Sequence, residues 1–383
     1  MTDGCDIVIA GGGPAGAAFA LALRDSGHRI CVVEPRATPP ADDEDTRNLA
    51  LTHGSRLILE RLGVWDTLTA TPITAVLVSQ QRAFGRAEFT AAEAGVPALG
   101  YVVRHAQLRR ALTAALDRSG ARVLYGHAVR GVEADAAAAR VRIEGAAGAA
   151  VLEAKLLAVA DGGAGADWAE VKVRRYRDVA LVCDVASQQP HLNRAFERFT
   201  SDGPLALLPM SHGWSLVWIG APARTQALAA LDPGDFCREV KAVCGMLGEF
   251  TLLGPRQTFP LTLKYAMAPR TPRTALIGNA AQTLHPVAAQ GFNLGLRDAW
   301  ELARTLVVRH VGDPGTAAVL DVHRHVRRRD RIATIAFTDS LIRLFSNDIP
   351  LLRDARGAGL VALGALTPVK KLFLRRMLFG ARG

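Results

Sequence analysis

Three glycines in the stretch DIVIAGGGPAGAAFALALRDSGHRICVVE stand where an apolar strand gives way to a helix of alanines and leucines: Gly11, Gly13 and Gly16. Each has a task in holding a pyrophosphate. One makes a tight turn, one lets the backbone approach the phosphates and one lets helix pack on sheet, with the phosphates at the positive helix N-terminus. A second strand then ends in Glu34, where a carboxylate can accept the hydroxyls of an adenosine ribose. The complete strand, helix, strand and terminal acid predict dinucleotide binding. A chance glycine turn and a solvated strand-end glutamate are the competing readings.

Two later stretches carry polar residues at strand ends. In LLAVADGGAGA (156–166) a strand runs into an Asp-Gly loop, where Asp161 either caps a turn or faces a ligand. In IGNAAQTLHPVAAQGFNLGLRDA (277–299) a buried strand ends at Asn279, His285-Pro286 stiffens a loop, and Gln290-Gly291-Phe292-Asn293 starts a helix predicted to run to near Arg309. Free N–H groups around Gly291, Phe292 and Asn293 can face the pyrimidine edge of a reduced flavin, whose N1 and C2 oxygen carry negative charge, and Asn279 can bond the ribityl chain. A plain crossover with a proline turn explains Pro286 and Gly291, but not so many polar side chains between two apolar elements. On this reading the two ends of the chain hold opposite ends of one long cofactor.

The elements that must position these residues are not those of a nicotinamide dehydrogenase. Residues 71–100 and 171–268 read as strand-rich insertions (TAVLVSQ, RAEFTA, RYRDVALVCDV, GWSLVWIGAP) between helical pieces. ADAAAARVRIEGAAGAAVLEA (134–154) alternates like a hairpin. The prediction is an α/β protein with a discontinuous dinucleotide-binding domain at 1–70, 101–170 and 269–335, an inserted β-sheet substrate domain at 71–100 and 171–268, and a helical, basic segment at 336–383.

Composition narrows the partners. With 383 residues, 49% of them hydrophobic and 21% charged, the chain is ordinary for a globular protein. Its net charge of +10 calls for an anionic partner, which could be nucleic acid, a membrane surface or a phosphorylated ligand. Nucleic acid fits poorly, because the basic residues lack interleaved aromatics or a reading motif. Five cysteines show no CxxC pair and no accompanying histidine spacing for zinc, so no metal is predicted and reduced, cytosolic core residues are expected. The acidic start MTDGCDIVIAGGG leaves no room for a signal peptide, and no apolar run reaches the length of a transmembrane helix.

GGGPAG, ADG and GNAAQTLHP, in that order and spacing, resemble the class A FAD-dependent aromatic hydroxylases of the para-hydroxybenzoate hydroxylase fold. TRNLALTHGSRLILERLGVW (46–65), PALGYVV (97–103), ERFTSDGPLALLPM (197–210) and GNAAQTLHPVAAQGFNLGLRD (278–298) most resemble the ubiquinone-biosynthesis hydroxylases, the subgroup acting on 2-polyprenyl-6-methoxyphenol above all. The resemblance covers nearly the whole chain. It implies a Rossmann-like FAD-binding domain in which Gly11, Gly13 and Gly16 hold the pyrophosphate and Glu34 the ribose. Arg47 would lie near the flavin and its phosphates, and Asp161 would serve both FAD and the approach of NAD(P)H. Asn279 replaces the aspartate commonest in the wider family and would keep the ribityl contact without the charge. Ala289 departs from the family's usual glycine, and a left-handed backbone there would be strained by alanine.

The reaction so implied uses NAD(P)H as reductant and O2 as co-substrate, and transfers one oxygen atom to an electron-rich ring carbon of a polyprenyl phenol while water is excluded. His285 is the nearest titratable candidate for acting on the phenol, with a structural role as the alternative, and Pro286 would shape the wall beside the ring. A polyprenyl substrate implies a membrane. LIRLFSNDIPLLRDARGAGLVALGALTPVKKLFLRRMLFGARG (341–383) carries Lys370, Lys371, Arg375, Arg376 and Arg382 among apolar residues and could lie on anionic lipid. A helix packed on the flavin domain with a solvated basic face is the alternative, and the expected location is cytoplasmic, peripheral on the inner face of the membrane. Two other functions stay open: a flavin-dependent prenyl-lipid reductase, and an FAD-binding docking component of a quinone-biosynthesis complex.

Overall fold

Runs that are apolar at every position, such as IVIA and LLAV, have no face to offer water and suit a parallel sheet covered on both sides. The computed structural model describes residues 4–38, 47–81, 83–163, 168–284, 290–308, 312–345 and 350–380; the side chains of 341–353 lie outside the description. Ile7–Ala10 and Leu156–Val159 lie side by side in an all-parallel sheet of five strands among the described residues, flanked by Ile30–Glu34 and Arg122–Tyr125 on one side and Thr274–Leu276 on the other. One face, through Ile7, Ile9, Val32 and Ala158, packs on the helices Pro14–Ala22, His105–Asp117 and Gln290–Val308. The other face, through Val8, Ala10, Val33 and Val159, is covered by an antiparallel meander, His127–Ala134, Ala139–Gly145 and Gly148–Ala154. The alternating stretch at 134–154 is the second hairpin of that meander.

A second sheet, of nine strands among the described residues, contains Ala75–Gln80, Arg86–Thr90, Ala169–Ser187, Arg194–Thr200, Gly203–Met210, Gly213–Gly220 and Gln257–Pro269. Alternation along GWSLVWIG sorts its two faces. Trp214, Leu216 and Trp218 point to a core shared with Phe236 and Val240 of the helix Pro233–Cys244. Ser215, Val217 and Ile219 point the opposite way, toward the flavin-side domain. The domains meet where Ala195 and Met210 pack on Ile73 and Val102, the latter two from a small sheet formed by Asn48–Thr52, Gly100–Arg104 and Thr71–Ile73.

The C-terminal helices Pro350–Ala365 and Thr367–Phe379 dock on this framework. Leu360, Leu374 and Leu378 are buried with Ala87, Phe89 and Leu99, and burying each such leucine contributes roughly 1.5–3 kcal/mol. The approach is close: a methyl on Gly54 would meet the Leu378 carbonyl oxygen at 2.7 Å, and Lys370 pairs with Glu93 at 2.5 Å.

Candidate active site

Ligands of open parallel sheets bind beyond the carboxyl ends of the strands, and all three polar stretches converge there. Gly11 leaves the first strand with φ of 104° and is pressed against the second, so that a methyl on it would lie 2.6 Å from the Ala160 carbonyl oxygen. A methyl on Gly16 would lie 2.0 Å from the Gly11 carbonyl oxygen. One on Gly163 would lie 2.8 Å from the Asn279 carbonyl oxygen, one on Gly278 2.6 Å from Cβ of Ala15, and one on Gly295 3.0 Å from Cα of Gly278. The loops of residues 11–16, 160–163 and 278–279 and the helix Gln290–Val308 therefore form one wall, packed backbone to backbone.

Gly13 differs from its neighbours, because nothing lies within 4 Å of where its methyl would project. It precedes the helix Pro14–Ala22, which has no side-chain cap and begins with proline, so the first-turn N–H groups face outward as an anion site. Glu34 stands beside this loop. Its carboxylate accepts the Gly12 N–H at 2.7 Å and the Arg36 N–H and Nε–H at 3.1 and 2.6 Å. Burial would raise its pKa, but the bonds and charge of Arg36 and the Gly12 N–H outweigh that and hold it below the ordinary value. An ionised carboxylate has about four acceptor positions; three are used, leaving room for one ribose hydroxyl. The open space at Gly13, the uncapped helix and the held carboxylate fit the pyrophosphate and ribose of FAD.

The other predicted residues are distributed as follows. Asp161 closes a turn, accepting the Gly163 N–H at 3.0 Å, and with its other oxygen accepts the Trp168 indole N–H at 2.9 Å. Asn279 lies in a single 3-10 turn with its side chain exposed next to Gly163. Gly291, Phe292 and Asn293 occupy the first turn of the helix Gln290–Val308, and Phe292 packs against the flavin-side core. Asn293 is fully buried: its Oδ1 accepts the Thr52 N–H at 2.8 Å and the Ser55 hydroxyl at 2.6 Å, and its Nδ2 donates to the Ala50 carbonyl at 2.9 Å. Its side chain therefore fastens the helix start to Asn48–Thr52 and does not face a ligand. Arg47 sits apart from the glycine wall, its guanidinium 5.9 Å from the Phe259 ring centroid in the second sheet. His285, Pro286 and Ala289 lie outside the described residues.

Two groups of residues went unnoticed in the sequence. At the junction of the domains Asn48 donates to Asp184 at 3.0 Å and to Ser215 at 3.1 Å, and Arg104 reaches the other Asp184 oxygen at 3.4 Å. Burial raises the pKa of Asp184, opposed by Arg104 and Asn48. Behind the glycine wall, Gln282 and Arg327 bond Asp298 at 2.5 and 2.6 Å, while Arg327 and Arg297 bond Asp330 at 2.7 and 2.8 Å. The signal available in the sequence was the Arg297-Asp298 pair inside an apolar helix, because charges so placed need partners.

This wall and the sheet facing it belong to an FAD-dependent flavoprotein monooxygenase, as the family and relatives of the chain show. The chain belongs to the FAD binding domain family, whose model matches residues 4–338, and among its relatives to the ubiquinone hydroxylases. Ubiquinone hydroxylase UbiL of Rhodospirillum rubrum is 34% identical over 97% of this chain and 88% of its own length. The 3-demethoxyubiquinol 3-hydroxylase of Escherichia coli is 32% identical over 97% of both chains. The crystal structure of p-nitrophenol 4-monooxygenase PnpA from Pseudomonas putida superposes with a TM-score of 0.78 over 100% of both chains at 18% identity, a likeness of fold.

Proposed function

We propose that the protein hydroxylates the aromatic ring of a polyprenylated phenol of the 2-polyprenyl-6-methoxyphenol type in ubiquinone biosynthesis. What supports this most is the similarity to two ubiquinone hydroxylases, at 34% and 32% identity over 97% of this chain. FAD, when bound, supplies the redox chemistry that couples NAD(P)H to dioxygen. Gly11, Gly13, Gly16 and Glu34 hold its adenosine diphosphate end. Asp161, Asn279 and the backbone of Gly291, Phe292 and Asn293 line the flavin end, and Arg47 approaches from the seam. His285 and Pro286, which fall between these two segments in the sequence, would act on the phenol and shape the wall beside the ring. The inward side of the nine-stranded sheet, through Val182, Ala206, Leu208 and Val217, offers the ring an apolar roof, which keeps water from the reacting centre. The test is an aerobic assay with a short-chain 2-prenyl-6-methoxyphenol and labelled dioxygen. One labelled oxygen in the product is the expected result; a product that gains two hydrogens, or no product at all, overturns the reading.

The reading includes work at a membrane surface. No single helix among the described residues is long and apolar enough to cross a bilayer. The two C-terminal helices bend by 92° at Leu366, and around that elbow Val361, Leu366, Val369 and Leu372 are 49–60% exposed. Lys371, Arg375 and Arg376 are exposed beside them, and no Asp or Glu follows Asp354. Apolar tips framed by cations suit an anionic headgroup layer. Replacing Leu366 and Leu372 together by glutamate is expected to weaken binding to anionic vesicles at least about 100-fold, since burying each leucine is worth about 1.5–3 kcal/mol, without altering thermal stability. Unchanged vesicle binding would remove the elbow as an anchor.

A further inference from the structure

Every charged residue in the two groups described above has a partner. Glu197 does not: among the described residues its carboxyl makes no hydrogen bond and no ion pair, and burial alone acts on it. It is half-buried in its strand. The strand Arg194–Thr200 pairs regularly with both neighbours, so Glu197 shares a face with Ala195, which packs on Ile73 and Val102 across the seam. The carboxyl therefore points to the side of the sheet that looks toward the flavin domain.

Its cross-strand neighbours on that face are Val78 and Ala206, with Val217 and Val182 beyond Ala206. It is thus a single carboxyl in an apolar row, with the smallest side chain of the row beside it to leave room. Asp184, the other acid on this face, has both oxygens bonded, by Asn48 and Arg104. A buried carboxyl without a donor is costly, and a ligand hydroxyl offered to it relieves that cost.

We propose that Glu197 receives the substrate ring, its carboxylate accepting the phenol O–H and so holding the ring between the sheet and the flavin domain. This rests on the hydroxylase reading above. A carboxylate that accepts the phenol proton in a hydrogen bond also leaves more electron density on the ring, which favours attack on an electrophilic oxygen. Burial pushes the Glu197 carboxyl up to about 7. The charged carboxylate, the stronger acceptor, is therefore the form present above that pH, and below it the protonated carboxyl keeps only a weaker carbonyl acceptor. Charged groups on the elements packed against this face are Arg47, Arg104 and Asp184 at the seam, Arg356 on Pro350–Ala365, and Lys370 paired with Glu93; among the described residues none of them forms an ion pair with Glu197.

The experiment measures binding of a short-chain 2-prenyl-6-methoxyphenol, and of the same ring with its hydroxyl methylated, to the FAD-loaded wild type and to Glu197→Gln, from the change in flavin absorbance. The wild type is expected to bind the phenol at least tenfold more tightly than its methyl ether at pH 8, with the preference fading as pH falls through about 7. Glu197→Gln is expected to lose the preference and its pH dependence while keeping its flavin affinity. Equal binding of phenol and ether by the wild type, or a variant that keeps the preference, overturns the proposal. The wild-type comparison stands even where the variant does not fold. A wild type that binds the phenol but transfers no oxygen to it sinks the hydroxylase reading and leaves the binding role of Glu197 to be judged by the ether.

Discussion

Gly13→Ala is expected to fold as the wild type does and to lose its flavin, whereas Gly16→Ala is expected to lose stability and flavin together. A methyl on Gly13 meets no protein atom within 4 Å, so the apoprotein has nothing to rearrange. That same methyl occupies the space through which the pyrophosphate approaches the helix start, and we expect FAD affinity to fall by a factor of about 100, or roughly 3 kcal/mol. At Gly16 the methyl would stand 2.0 Å from the Gly11 carbonyl oxygen and 3.3 Å from Cβ of Ala160. Neither the strand end nor the helix can yield independently, because Gly11 is itself pressed against Ala160 at 2.6 Å. Overpacking of this kind costs about 3 kcal/mol or more, which for a chain of this size is a drop in Tm of roughly 4 °C or more. Thermal melts of the apoproteins and fluorescence titration with FAD separate the two effects. Equal losses of Tm in both variants would show that Gly13, too, is a packing glycine.

Asp330→Ala is expected to be the most destabilising single change behind the site. Asp330 accepts bonds from both Arg297 and Arg327, and the three side chains are only 5–10% exposed. Removing the carboxylate leaves two guanidinium groups buried beside each other, and breaking such a buried pair costs about 3–5 kcal/mol. The loss spreads to the flavin wall, because Arg297 belongs to the helix Gln290–Val308, and Arg327 also holds Asp298, which holds Gln282. It reaches the C-terminus as well: a methyl on Gly380 would stand 2.8 Å from both Arg297 Nε and Asp330 Oδ1, so the last helix ends against this pair.

The pH dependence follows from the direction of the shift. Burial would raise the Asp330 carboxyl, but Arg297 and Arg327 outweigh it and hold it below the ordinary value. A depressed carboxyl stabilises the fold in full above its ordinary pKa and loses that contribution as pH falls through the folded value. The stability gap between wild type and Asp330→Asn, read from denaturant unfolding, is therefore expected to be constant near neutrality and to close below about pH 4. A gap that widened in acid would show that the pair is held by something other than the ionised carboxylate.

What was legible in the sequence was what neighbouring residues impose on one another. Four-residue apolar runs with no polar position, bounded by glycine turns, suit central parallel strands. A glycine turn between such a strand and an alanine-rich helix can only crowd the backbone, and the alternation of 134–154 can only be a hairpin. These are constraints of local geometry and of water, and they led to the α/β architecture and to the expectation that both ends of the chain hold one cofactor. The tertiary structure alone decided which polar residue meets which. Asn293 lies in a helix start whose N–H groups the sequence suggested could face a flavin, yet its side chain turns back to Thr52 and Ser55, more than two hundred residues earlier, because the helix packs on that strand end. Glu197 looks like any alternating acid in ERFT, and only the register of its strand between Ala75–Gln80 and Gly203–Met210 turns it inward, since a slip of one residue would send it to the opposite face. Pairings across such distances depend on how whole elements dock, and no local pattern in the chain encodes that.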